Sequence, residues 1–133
     1  MKNALEKLCE AIAYPDPVPD GATAFNLRVD GSDVLLRLIG KRLVISRVID
    51  RDESDLPQLA AYAAGRILKE EAVLAWDERQ SACTLWQELS EDSDSKQLTQ
   101  FFEDFMHSCD WWVERAEELN APPSTFPDIV LRP

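Results

Sequence analysis

The chain has 133 residues, enough for one domain with a substantial core and too few for two, since domains run to about 150 residues. Its 25 Asp and Glu against 14 Lys and Arg give a formal charge of −11, a field that repels nucleic-acid phosphate and the anionic inner leaflet of a membrane, so partners should be neutral or basic. A composition 45% apolar and 29% charged is that of a chain that folds, and no apolar run approaches the roughly 18 residues of a spanning helix, so neither nucleic-acid binding nor membrane insertion is expected.

Residues Asn3 to Ala13 place Leu5, Leu8, Cys9 and Ile12 on one helical face and Lys2, Glu6, Lys7 and Glu10 on the other, a short amphipathic helix. The opening Met1-Lys2-Asn3-Ala4-Leu5-Glu6 has no signal-peptide core, and a cytoplasmic location is expected. Pro15, Pro17 and Pro19 forbid helix and sheet, so Tyr14 to Gly21 reads as an extended connector. The period then changes to two: Phe25, Leu27 and Val29 alternate with Ala24, Asn26 and Arg28, and Asp30-Gly31 offers a turn able to take positive φ. Strands Val34 to Ile39 and Arg42 to Ile49 follow, joined by Gly40-Lys41 as a type II′ hairpin, to complete an antiparallel meander. Leu35 with Leu36, and Val44 with Ile45, are apolar on both sides, which predicts a sheet covered on both faces in its middle.

The acidic stretch Asp50 to Asp55 ends the meander. Asp55 and Gln58 have capping-box spacing, with Pro57 in the first turn of an Ala-rich helix running to about Leu68. Its small residues allow another backbone to approach closely. Ala72 to Trp76 and Ala82 to Leu89 read as a hairpin around the charged turn Asp77-Glu78-Arg79-Gln80. After the polar break Glu91 to Asp94, Leu98, Phe101, Phe102, Phe105, Cys109, Trp112, Ala116 and Leu119 recur every three or four residues, a long helix with Glu103, Asp104, Asp110, Glu114, Glu117 and Glu118 outside. Residues 1–120 form the expected α+β domain, and 121–133, with Pro122, Pro123, Pro127 and Pro133, a proline-rich irregular tail.

The residues of chemistry are sparse. His107 is the single histidine and has no carboxylate pattern suggesting a bound metal; a Ser-His-Asp or Cys-His arrangement would have to be built on this residue, and no G-x-S-x-G turn occurs. The four glycines cannot form a P-loop or a G-x-G-x-x-G turn. The carboxylate runs Asp50-Arg51-Asp52-Glu53 and Glu91-Asp92-Ser93-Asp94 lack EF-hand spacing and read as solvated loops. Cys9, Cys83 and Cys109 are odd in number with no C-x-x-C pair, and read as buried thiols. No catalytic residue, metal or cofactor is assigned. Among Trp76, Trp86, Trp111 and Trp112, the adjacent pair cannot both face one core, so one of the two should be partly exposed.

Helix, three strands, helix, two strands, helix in an acidic chain of this size resembles the class I type III secretion chaperones of Gram-negative bacteria, the family of small acidic homodimers that includes the Tir chaperone. The resemblance is carried by the helix Leu5 to Ile12, the meander Phe25 to Ile49, the Ala-rich helix Leu56 to Leu68, the hairpin around Val73-Leu74-Ala75-Trp76 and Cys83-Thr84-Leu85-Trp86, and the long closing helix. It implies a bacterial cytoplasmic protein, not an enzyme, that binds the N-terminal segment of a secreted effector, keeps it extended and delivers it to the secretion apparatus, with the secretion ATPase as a further partner. An extended client can add a strand to a sheet edge and lay side chains in apolar grooves. The groove is expected between Leu5, Leu8 and Ile12 and Phe25, Leu27 and Val29. The family's mode of dimerisation points to Leu59, Tyr62, Ala63 and Ile67 with Leu74 and Trp76. The alternative is an acidic immunity or inhibitor protein that neutralises a basic toxin or nuclease. Salt separates the two, since an electrostatic inhibitor loses affinity steeply with ionic strength and an apolar groove binder loses little.

Overall fold

The computed structural model describes residues 2–66 and 71–120. Helix α1 spans Ala4–Ala11 and begins at a capping box: the Asn3 side chain accepts from the Glu6 N–H at 2.9 Å, and the Glu6 carboxylate accepts from the Asn3 N–H at 3.0 Å. It ends earlier than its apolar spacing predicts. Ala13 turns to φ +55°, and the Tyr14 N–H donates back to the Cys9 carbonyl at 2.9 Å. Strands β1 (Ala24–Val29), β2 (Ser32–Ile39) and β3 (Arg42–Asp50) form the predicted meander. Asp30 and Gly31 both take positive φ, as a type I′ turn requires, while at the next hairpin Gly40 is positive and Lys41 is not, as the type II′ reading requires.

Strands β4 (Val73–Asp77) and β5 (Ala82–Ser90) pair as a hairpin, and β5 then pairs antiparallel with β3. The result is one five-stranded antiparallel sheet in the order β1-β2-β3-β5-β4. Helix α3, Ser95–Leu119, opens on a capping box between Asp94 and Gln97 and lies across β3 and β5 beside α1. Leu27, Val34, Leu36, Leu43, Ile45 and Leu85 share one sheet face and pack with Leu5, Leu8, Leu98, Phe105 and Trp112 in a single core. Trp112 is buried in that core, and its neighbour Trp111 is only half-buried, as the adjacent pair predicts. Trp111 is clamped between the guanidiniums of Arg66 at 3.8 Å and Arg115 at 4.8 Å, with Tyr62 edge-on at 6.2 Å. That stack ties the Ala-rich helix to α3.

The covering of the sheet differs from the prediction. Leu35, Val44 and Val48 alternate onto the second face with Thr84 and Trp86, and none of these belongs to the helix-packed core. No described helix lies over them. Neighbouring side chains shield this face instead, as where the Arg37 guanidinium lies 4.8 Å over the Trp86 ring.

Helix α2, Leu56–Arg66, is the predicted Ala-rich helix; its expected continuation to Leu68 and the tail 121–133 lie outside the described residues. Asp55 is not its capping-box residue. A 3-10 turn, Glu53–Asp55, comes first, and Asp52 caps it by accepting from the Ser54 N–H at 3.0 Å. Asp55 meets Asp50 instead, and Oδ2 of each is sealed from solvent without a partner. The hydrogen bond to Asp50, loss of water, and the charges of Asp50 and Asp52 hold the Asp55 carboxyl above the ordinary range, against the Asn120 amide, which lowers it. A carboxyl raised in the folded state contributes stability below its unfolded pKa, near 3.9, that is lost as pH rises through the folded value. Asp55→Asn is therefore expected to be more stable than the parent at neutral pH and to lose that advantage toward pH 4, as read by urea denaturation at both pH values.

Candidate functional site

Three of the six residues expected to meet a client are closed to it. Leu5, Leu8 and Leu27 are 0% exposed, because α1 lies on the sheet with this stripe turned into the core rather than standing off to leave a groove. Ile12, Phe25 and Val29 are half-buried and form a rim where the core reaches the surface beside β1. The structure thus separates the six into a sealed floor and an accessible border.

The border runs along an edge strand, since among the described residues β1 pairs only with β2. Tyr14, in the proline-rich connector, occupies part of that edge. Its hydroxyl accepts from the Arg28 N–H at 2.8 Å, and its ring meets Phe25 edge-on at 6.0 Å. The connector is held where it enters β1 by Asn3, whose amide donates to the Ala22 carbonyl at 3.0 Å. A tyrosine ten residues before a half-apolar strand has no sequence signature for this role; only the fold of the proline-rich connector brings the hydroxyl to the strand.

At the opposite side of the sheet, the self-association residues also divide. Leu59 is fully buried in its own chain's core, so it supports α2 from beneath and offers nothing to a second copy. Tyr62, Ala63, Leu74 and Trp76 are half-buried, and Ile67 lies outside the described residues. Beside them, Ala60, Ala61, Ala64 and Gly65 are exposed along α2, and Val73 on the edge strand β4 is 61% exposed. A cleft of about 290 Å3 lies between α2 and β4, lined by Ala60, Ala63, Ala64, Ala72, Val73 and Leu74 among others. The Trp112 Nε1–H, which borders it, is buried without an acceptor.

The groups that carry covalent or metal chemistry do not converge. Among the described residues there is no cluster of three or more His, Cys, Asp or Glu able to hold a metal ion, and His107 is exposed on α3. Burial pushes the Cys9 and Cys83 thiols up to about 11 and the Cys109 thiol to about 12, so all three are protonated and inert at neutral pH. No helix among the described residues is long and apolar enough to cross a membrane.

No family model matches this chain, and no curated protein matches it. Solved structures do. One from the HopA1–SchA chaperone–effector complex is 20% identical, covers 84% of this chain and 91% of its own, and superposes with a TM-score of 0.66. The Yersinia pestis type III secretion chaperone SycH, in complex with a stable fragment of YscM2, is 17% identical over 82% of this chain and 96% of that chain, with a TM-score of 0.59. YbjN, a candidate transcription regulator from Escherichia coli, is 15% identical over 89% and 93%, with a TM-score of 0.67. The class these likenesses define is one of fold: the chain has the α+β architecture of the class I type III secretion chaperones, as the order of its elements predicts, and YbjN shares it.

Proposed function

We propose that this protein is a type III secretion chaperone that binds the extended N-terminal segment of a secreted effector, keeps it nonglobular, and works as a homodimer in the bacterial cytoplasm, with delivery to the secretion ATPase part of the same reading. The observation that carries it is the open side of the sheet. In a fold shared with members of chaperone–effector complexes, one sheet face has no helix over it among the described residues, and β1 has one free edge among them. Both are what an unfolded polypeptide needs: backbone groups to pair with and apolar side chains to lie on. The client contacts are Ile12, Phe25 and Val29, which reach the β1 edge from the helix-packed face, with Leu5, Leu8 and Leu27 as the floor that holds them in place.

The self-association surface is α2 with the β4 edge, where a two-fold axis would set the same patch against itself. Tyr62, Ala63, Leu74 and Trp76 border it, and the exposed Ala60, Ala64 and Val73 are the direct contacts.

Co-purification from the native host, followed by identification of the bound chain and limited proteolysis, tests the central claim. The expected result is a protected segment near the amino terminus of one secreted protein; a bound partner protected only as a folded domain overturns it. Tyr14→Phe tests the edge. It keeps the ring against Phe25 and frees the Arg28 N–H, so affinity for the co-purified client is expected to rise severalfold, by about one hydrogen bond. Unchanged affinity would mean that the client does not pair along β1 at Arg28.

A further inference from the structure

The uncovered sheet face holds a cleft of about 340 Å3 whose chemistry differs from the rest of the molecule. Its floor is Leu35, Ser46, Val48 and Thr84, which the strand register places on one face. Thr84 is fully buried, and its hydroxyl has no hydrogen-bond partner. At one end stands the exposed Arg51, which donates to the Gln80 carbonyl at 2.8 Å and forms no ion pair among the described residues. Arg47 also lines the cleft and donates to the Ser32 hydroxyl at 2.8 Å. The one carboxylate in the lining, Asp33, is occupied by Arg28 at 2.8 Å and Asn26 at 3.1 Å. On a chain of charge −11, this recess therefore carries the Arg51 guanidinium against one carboxylate that is already paired, while the strand register turns the Arg47 side chain, between Ser46 and Val48, to the helix-packed face.

We propose that the cleft receives an Asp or Glu side chain from the extended polypeptide, with the carboxylate bound by Arg51 and the Thr84 hydroxyl satisfied by the same segment. This rests on the polypeptide-binding reading above and adds what the segment must carry. The acidic surface elsewhere demands a segment that is neutral or basic overall, so a single carboxylate is tolerated only where it reaches this recess, and that sets register. Arginine suits the task because its planar fork binds a carboxylate through two parallel hydrogen bonds. Leu35 and Val48 of the floor, with Val44 and Trp86 on the same face, then take the apolar residues on either side.

The test uses the whole protein and a library of short random peptides, selected in parallel on the parent and on Arg51→Glu, with Arg51→Gln as a second variant. Residue 51 is exposed, so circular dichroism should be the same for all three proteins. The parent is expected to select peptides with one Asp or Glu at a constant position, and changing it to Asn or Gln should weaken binding about tenfold, the scale of one charge-assisted hydrogen bond. Arg51→Gln should show the same loss, and Arg51→Glu should select Lys or Arg at that position. If peptides bind but the parent shows no acidic preference, or the preference persists in Arg51→Glu, the cleft assignment is overturned while the polypeptide-binding reading stands. If no peptide is selected by any of the proteins, both fail.

Discussion

Leu27→Asp should unfold the protein. Leu27 sits in the edge strand β1 with no exposed surface, facing α1 across Leu5 and Leu8. The substitution removes a buried aliphatic side chain, which by itself costs about 2–5 kcal/mol, and leaves in its place a carboxylate with no cation to pair with. The sum is about 5 kcal/mol or more, comparable with the whole stability of a chain this size. Circular dichroism should show loss of helix and strand, and Leu8→Asp should do the same. A folded Leu27→Asp protein that had lost only its client would instead reinstate Leu27 as a contact residue.

Ala64→Glu should leave the fold intact and break self-association. Ala64 is exposed on α2 beside the α2–β4 cleft, so the monomer tolerates a longer polar side chain there. Across a two-fold interface the substitution meets its own copy, setting two unpaired carboxylates together in a desolvated contact. Such a pairing costs several kcal/mol, so the dissociation constant should rise at least about 100-fold. Sedimentation equilibrium at tens of micromolar should report a dimer for the parent and a monomer for the variant. A parent that is monomeric at that concentration removes α2 as an interface.

Much of the fold was legible residue by residue. Alternation at Phe25, Leu27 and Val29, the turn residues Asp30-Gly31 and Gly40-Lys41, and the apolar repeat from Leu98 to Leu119 are local signals, and each element formed where its signal lies. Where a local signal misled, a longer-range contact had overridden it. Asp55 and Gln58 have the spacing of a cap, yet the Asp55 carboxyl is taken by Asp50 from the end of β3, and Asp52 caps a 3-10 turn instead. The candidate site was harder to read for the same reason. Leu5, Leu8, Ile12, Phe25, Leu27 and Val29 are equally apolar, and periodicity cannot tell a side chain under a helix from one at its rim.

By itself, the sequence determined the element order, the two glycine-bearing turns of the meander, the acidic charge and the absence of a motif for nucleotide, zinc-finger or EF-hand chemistry, because each of these is written in neighbouring residues. Only the tertiary structure decided which apolar residues are shut away. The joining of β3 to β5 made one sheet of five strands, and α1 and α3 settled on one side of it, sealing Leu5, Leu8 and Leu27 and leaving Leu35, Val44, Val48 and Trp86 without a described helix above them. Alternation marks the two faces of a strand but not which of them a distant helix will cover, and that choice is made by packing between segments far apart in the chain.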